Sequence, residues 1–88
     1  MDGVSCSNLP VQVILHCDAN GTLRPLRFQF TDASRQCCVV HIEEIKDVRN
    51  VEFEGVEAVL YLCRSQAHLY ELKYLIQSHK WLLFRQIY

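Results

Sequence analysis

"HLYELKYLIQSHKWLLFRQIY", residues 68–88, decides whether this chain is a sheet protein or carries a C-terminal helix. Leu69, Leu72, Ile76 and Leu83 fit one stripe of a helix, spaced three, four and seven residues apart. The strict alternation of Tyr70-Glu71-Leu72-Lys73-Tyr74, with its aromatic and β-branched surroundings, fits a strand better. A hairpin closed at Ser78-His79 sets Tyr70 against Ile87, Tyr74 against Leu83 and Ile76 against Trp81 on an inner face. The outer face then carries Leu75 opposite Leu82 and Lys73 opposite Phe84, so this hairpin is apolar on both sides.

Strand signals continue toward the N-terminus. "VEAVLYLC", residues 56–63, places Val56, Ala58, Leu60 and Leu62 on one face, bounded by "FEG" before it and "RSQA" after it. Further upstream, Val11, Val13 and Leu15 alternate with other residues, Asn20-Gly21 follows, and Leu26, Phe28 and Phe30 alternate again. Asn-Gly is a strong hairpin signal because both residues tolerate the positive φ of a type I′ turn. That turn pairs Ala19 with Thr22, Leu15 with Leu26, Val13 with Phe28 and Val11 with Phe30, gathering the apolar residues on one face. Pro25 removes a ladder donor and predicts a bulge or an unpaired side there.

"TDASR", residues 31–35, supplies the next turn. A three-residue loop at Ala33–Arg35 sets Phe30 against Cys38, Phe28 against Val40 and Leu26 against Ile42. The alternative two-residue loop at Ala33-Ser34 turns Cys37, Val39 and His41 inward and buries an imidazole. Glu43-Glu44 interrupt the alternation before Ile45 and Val48, which predicts a bulge or bend in a long strand. A short helix around "EEIKDVRN", residues 43–50, is the competing reading.

"QCCVVHIEE", residues 36–44, has the residue types of a thiol or metal site. On a strand, Cys37 and His41 share a face but stand about 13 Å apart, at a rise near 3.4 Å per residue. Zn ligands lie only about 2.0–2.3 Å from the ion, so one ion does not reach both. Cys38 and His41 point to opposite faces. His16 and Cys17 are adjacent and therefore diverge as well, and the chain has no C-x2-C or H-x3-H spacing. Cys38 and Cys63 read as packing residues, His16 and His41 as exposed strand residues. The chain has no glycine turn that would build an oxyanion site beside a cysteine. The expectation is therefore no enzyme, no cofactor and no metal.

Composition agrees with a small binding domain. Half of the 88 residues are hydrophobic, 22% are charged, and the net charge is -1, which gives no overall attraction to nucleic acid or to an anionic membrane. A chain of this length hides only about 60–65% of its unfolded surface, so oligomerisation is the ready source of extra stability. Five cysteines, at 6, 17, 37, 38 and 63, fit reduced thiols better than a secreted disulfide frame. The start, "MDGVSCSNLP", has an acid where a secretory leader has basic residues and lacks an apolar run, and residues 1–9 read as disordered. A cytoplasmic setting with no membrane association is expected.

The stretches "PLRFQF" (25–30), "LYLCRSQ" (60–66) and "YELKYLIQSHKWLLFRQIY" (70–88) resemble a small uncharacterised family of clostridial-type bacterial proteins. In that family a Pro-Leu-Arg-Phe segment precedes a terminal Tyr-Glu-Leu-Lys-Tyr and Lys-Trp hairpin. The resemblance covers most of residues 10–88 and implies a bacterial, cytoplasmic, complete small protein. It brings no activity, ligand or catalytic residue to any position, and His79 and the Cys37-Cys38 pair depart from it.

The chain is thus expected to be mainly β, an antiparallel meander of about six strands forming a curled sheet or small open barrel over residues 10–88. It is expected to act without catalysis as a protein-interaction or self-association module. A homodimer would use Leu75, Leu82, Phe84 and Lys73. The alternative is a nucleic-acid-binding small β-barrel that uses Arg24, Arg27, Arg64, Lys73 and Arg85.

Overall fold

Period-two alternation carries through to the backbone. A computed structural model describes residues 5–87, with side chains from Asn8 onward, and among them every regular element is a strand. The strands are β1 (Ser5–Pro10), β2 (Gln12–Cys17), β3 (Leu23–Thr31), β4 (Cys37–His41), β5 (Glu44–Phe53), β6 (Val56–Ser65), β7 (His68–Leu75) and β8 (Lys80–Gln86). They form a five-stranded sheet in the order β1-β8-β7-β6-β5 and a three-stranded sheet in the order β2-β3-β4, antiparallel throughout.

Eight strands replace the expected six because the third expected run is bent into two, β4 and β5, and because β1 precedes the first expected run. β1 joins β2 at Val11, whose N–H donates to the Trp81 carbonyl (3.2 Å) as the chain leaves the five-stranded sheet for the other. The third run turns at Ile42-Glu43. There Ile42 N–H donates to Leu26 in one sheet (2.9 Å) and Glu43 N–H to Arg64 in the other (2.9 Å). The break in alternation at Glu43-Glu44 marks this corner, and β5, a strand, replaces the competing helix over 43–50. The expectation of a disordered segment over 1–9 holds no place for β1: Ser5–Pro10 pairs with β8, and residues 1–4 lie outside the described residues.

The turns refine the registers. Asn20-Gly21 does not close a two-residue loop. Instead Gly21 N–H donates to the Asp18 carbonyl (3.0 Å), Gly21 takes φ +84°, and the Asp18 carboxylate accepts from the backbones of Asn20 and Thr22 (2.9 Å each). "DASRQ", residues 32–36, repeats that turn: Arg35 N–H donates to Asp32, and the Asp32 carboxylate accepts from Ser34 and Gln36. Here the positive φ (65°) falls on Arg35 rather than on glycine, at a cost of about 1–2 kcal/mol.

The three-residue loop expected there is the one found, with Phe28 opposite Val40 and Phe30 opposite Cys38. Val13 pairs with Phe28 as expected. The bulge expected at Pro25 is present too, but it displaces the first register: Leu15 faces Pro25, and Leu26 is turned outward to 44% exposure. The final hairpin closes through residues 76–79, with His79 N–H donating to Leu75 (2.8 Å) and His79 at φ 59°. This slides the register by two relative to closure at Ser78-His79. Tyr74 meets Trp81, Lys73 meets Leu82 rather than Phe84, and Leu75 meets Lys80 rather than Leu82. A slip of two preserves the faces as far as Leu83, since side chains alternate with period two, but past the bulge that follows the slide is one, and Tyr70 meets Gln86 rather than the expected Ile87.

The sheets pack face to face around Phe28 and Val40 from one and Tyr61, Cys63, Tyr70, Leu72 and Leu83 from the other. Phe28 and Tyr70 meet edge-on across the layers at 5.4 Å, a geometry aromatic pairs favour. Tyr74, Trp81 and Tyr61 extend this face as a tilted row of rings. In β6, Val59, Tyr61 and Cys63 face the other sheet, and the expected common face of Ala58, Leu60 and Leu62 is the one turned away.

Candidate functional site: the outer face of the five-stranded sheet

Alternation along β7 turns Tyr70, Leu72 and Tyr74 into the core and Glu71, Lys73 and Leu75 to the opposite, outer face. Antiparallel pairing sets Leu60 and Leu82 on either side of Lys73, and Leu62 and Arg85 on either side of Glu71. A bulge in β8 just after Leu83 lets two successive residues, Phe84 and Arg85, both reach this face.

Those side chains form a roof. The Lys73 ammonium lies 4.4 Å from the centre of the Phe53 ring and 4.5 Å from that of Phe84, and the two rings are 5.9 Å apart. Phe53 ends β5 and Phe84 lies in β8, three strand spacings away, or about 14 Å at ~4.8 Å each. The rings therefore lean toward each other across the sheet and close over Lys73. Beside them, Arg85 Nε donates to Glu71 Oε1, and Arg49 Nη2 stands 3.7 Å from Glu71 Oε2. Asp47 holds Arg49 from the other side at 3.5 Å.

The result is two charged residues excluded from water on a face that no second sheet covers: Glu71 is 4% exposed and Lys73 7%. Glu71 is matched by two guanidinium groups. Lys73 has ring faces instead of a carboxylate, an attraction worth about 0.5–2 kcal/mol, and burial pushes its pKa down. Lys73, expected on an exposed patch, is thus enclosed. Leu75, Leu82 and Phe84 share its face and are half-buried, while Phe53 (38%) and Val56 (44%) remain open at the β5–β6 end.

The basic residues expected to serve nucleic acid fall in three places. Arg24 and Arg27 lie on the three-stranded sheet, opposite His16 and Ile14. Arg64 is held by Glu44 (3.1 Å) and Glu43 (2.9 Å). Lys73 and Arg85 belong to the roof. No single groove joins these five side chains.

The thiols and imidazoles likewise stay apart. Cys37 and His41 are exposed on β4, Cys38 is half-buried with Sγ 3.7 Å from Asp32 Oδ2, and Cys63 is fully enclosed. Burial and the Asp32 carboxylate raise the Cys38 thiol pKa, and burial pushes Cys63 up to about 12, the opposite of what a nucleophilic thiolate requires. Among the described residues no three His, Cys, Asp or Glu side chains gather in a way that would hold a metal ion. A hollow of about 470 Å³ over Leu9, Phe30 and Leu83 has Asp32 as its titratable group, and that carboxylate already accepts from two backbone amides. No helix among the described residues is long and apolar enough to cross a membrane.

Fold and face together define an antiparallel β protein whose larger sheet is apolar on both sides and covered by a second sheet on one. Comparison with known proteins finds no family model, no curated protein and no solved structure that matches the chain. Phe53, Arg49 and Glu71 were not assigned a role from the sequence. Their signal was the unbroken apolar run of β6, Ala58–Cys63, because a strand apolar at every position is one buried on both faces.

Proposed function

We propose that this chain is a non-catalytic protein-association module whose contact surface is the outer face of the five-stranded sheet. One observation supports the reading above the others: β6 is apolar and buried or half-buried on both sides from Ala58 to Cys63, yet only its inner side has a sheet against it. Side chains of the same sheet shelter the centre of the outer face. Around that centre Phe53 and Val56 stay open, with half-buried Leu75, Leu82 and Phe84 beside them. Contiguous apolar surface of this kind on a small protein marks a partner surface, and a second copy is the simplest partner.

Light scattering across a concentration series tests the reading. The mass is expected to rise with concentration, and Leu82→Glu, which places a charge on the face without touching the inner core, is expected to suppress part of that rise while leaving the circular dichroism unchanged. A chain that stays monomeric at every concentration removes the proposal.

A further inference from the structure

We propose that two copies of this chain also join edge to edge, by antiparallel pairing of their β5 strands about a two-fold axis at Val48. This contact goes beyond the outer-face reading, because it uses the rim of the sheet.

Among the described residues four strands have an unpaired edge: β1 and β5 in the larger sheet, β2 and β4 in the smaller. Pairing another chain requires a regular row of free amides and carbonyls. β1 is interrupted by a register shift between Cys6 and Leu9, with Asn8 at φ 45°, and ends at Pro10, while β2 and β4 have six and five residues. β5 has ten, and from Asp47 to Phe53 its ladder with β6 is unbroken. β5 contains no proline.

The turn at Glu54-Gly55 fixes which groups face outward. It closes on Phe53 and Val56, and both of its residues have positive φ, so the Phe53 carbonyl bonds to the Val56 N–H. Alternate residues back along the strand, Val51, Arg49 and Asp47, then bond to β6, which leaves Glu52, Asn50 and Val48 with backbone groups pointing to the open edge, up to the bulge at Lys46.

A symmetric antiparallel pair must set outward residues against outward residues, which places the axis on a residue, and positions 47, 48, 49 and 50 are those nearest the middle of β5. An axis at Asp47 or Arg49 stacks that charge on its own copy. An axis at Asn50 puts Val48 against Glu52 and Arg49 against Val51. The axis at Val48 is the complementary one: Asp47 of each copy faces Arg49 of the other and Val48 faces Val48, while the bulge at Lys46 interrupts the row before Glu44 would meet Glu52. Val48 is 51% exposed, the most open large hydrophobic residue among the described residues, and this pairing covers it. The charges that guard the edge against arbitrary partners thereby select one, a second copy in one register. The product is a continuous ten-stranded sheet.

Charge exchange in the Leu82→Glu background, where the outer face is silenced, isolates the contact. Asp47→Arg alone sets arginine against arginine at two places, and Arg49→Asp alone sets acid against acid. Each is expected to weaken dimerisation at least about tenfold in Kd. Mixed in equal amounts, the two variants are complementary at both places and are expected to form a mixed dimer in sedimentation velocity. That readout separates lost pairing from lost folding, because a misfolded chain is not rescued by mixing. A mixture that remains monomeric, or single variants that dimerise as well as their parent, overturns the edge pairing. Either failure leaves the outer-face reading standing, and a wild-type mass that ignores Leu82→Glu removes that reading while leaving the β5 pair intact.

Discussion

The two faces of β7 exclude water by different means. On the inner side Tyr70, Leu72 and Tyr74 are covered by another layer of the protein, and Leu72 is completely enclosed. On the outer side Glu71 and Lys73 are almost as inaccessible, although what covers them is their own sheet: two phenylalanine rings and two guanidinium groups reaching across from β5 and β8. The inner face is held by shape and the hydrophobic effect, the outer by the length of flexible and aromatic side chains. A face sheltered this way exchanges its cover more readily than one packed under a second sheet, and this is why the outer face is the candidate contact surface.

The largest expected difference between the faces comes from deleting inner volume. Leu72→Ala leaves a cavity between two layers that do not collapse, at a cost of about 2–5 kcal/mol measured by urea unfolding. Glu71→Ala on the outer side removes the carboxylate that Arg85 and Arg49 share, while Asp47 still holds Arg49. Both arginines retain contact with water, so the loss is smaller, about 1–3 kcal/mol. If Glu71→Ala cost as much as Leu72→Ala, the two faces would be equivalent and the distinction would fail.

Alkaline pH separates the faces by sign. On the inner side burial raises the pKa values of Cys63, Tyr61 and Tyr70. Their neutral forms are favoured in the fold, so the stability they contribute is present below their ordinary pKa values and is lost as pH rises. For Cys63 the window runs from its ordinary value of 9.0 to about 12, with a slope of at most about 1.4 kcal/mol per pH unit. Cys63→Ala is expected to flatten that part of the stability profile.

Lys73, on the outer side, has its pKa lowered from 10.5 by burial. Below its folded pKa both states are charged and the penalty is in force. As pH climbs through the folded value toward 10.5 the folded lysine releases its proton first, and stability rises. Lys73→Met, which keeps the stem, is expected to change stability at neutral pH by no more than about 1 kcal/mol, since ring attraction and desolvation oppose each other. It also removes the alkaline gain. A wild-type advantage over Lys73→Met that shrinks with rising pH would contradict the assignment.

Much of the fold was legible in local spacing. The alternation at 70–74, the turn in "TDASR" and the break at Glu43-Glu44 led to strands, a three-residue loop and a bend; the bend proved to be a corner between the two sheets. Registers were less legible. Asn20-Gly21 is a strong two-residue turn signal, yet the Asp18 carboxylate satisfies two amides in a longer turn, and the bulge at Pro25 absorbs the difference. In the last hairpin the strand pattern fixed the faces up to Leu83 but not the slide, because a shift of two residues puts the same side chains on the same sides, and it gave no sign of the bulge that sets Gln86 instead of Ile87 opposite Tyr70.

What the sequence determined on its own is therefore period and sidedness, since these follow from the geometry of one strand and the residues along it. Which side of β6 became the interior, and how Phe53, Lys73, Glu71 and Arg49 came to share one roof, was decided only when strands distant in the chain were curled together. The energy of a ring leaning over an ammonium group, or of one carboxylate between two guanidinium groups, depends on distances across three strands that no local pattern encodes.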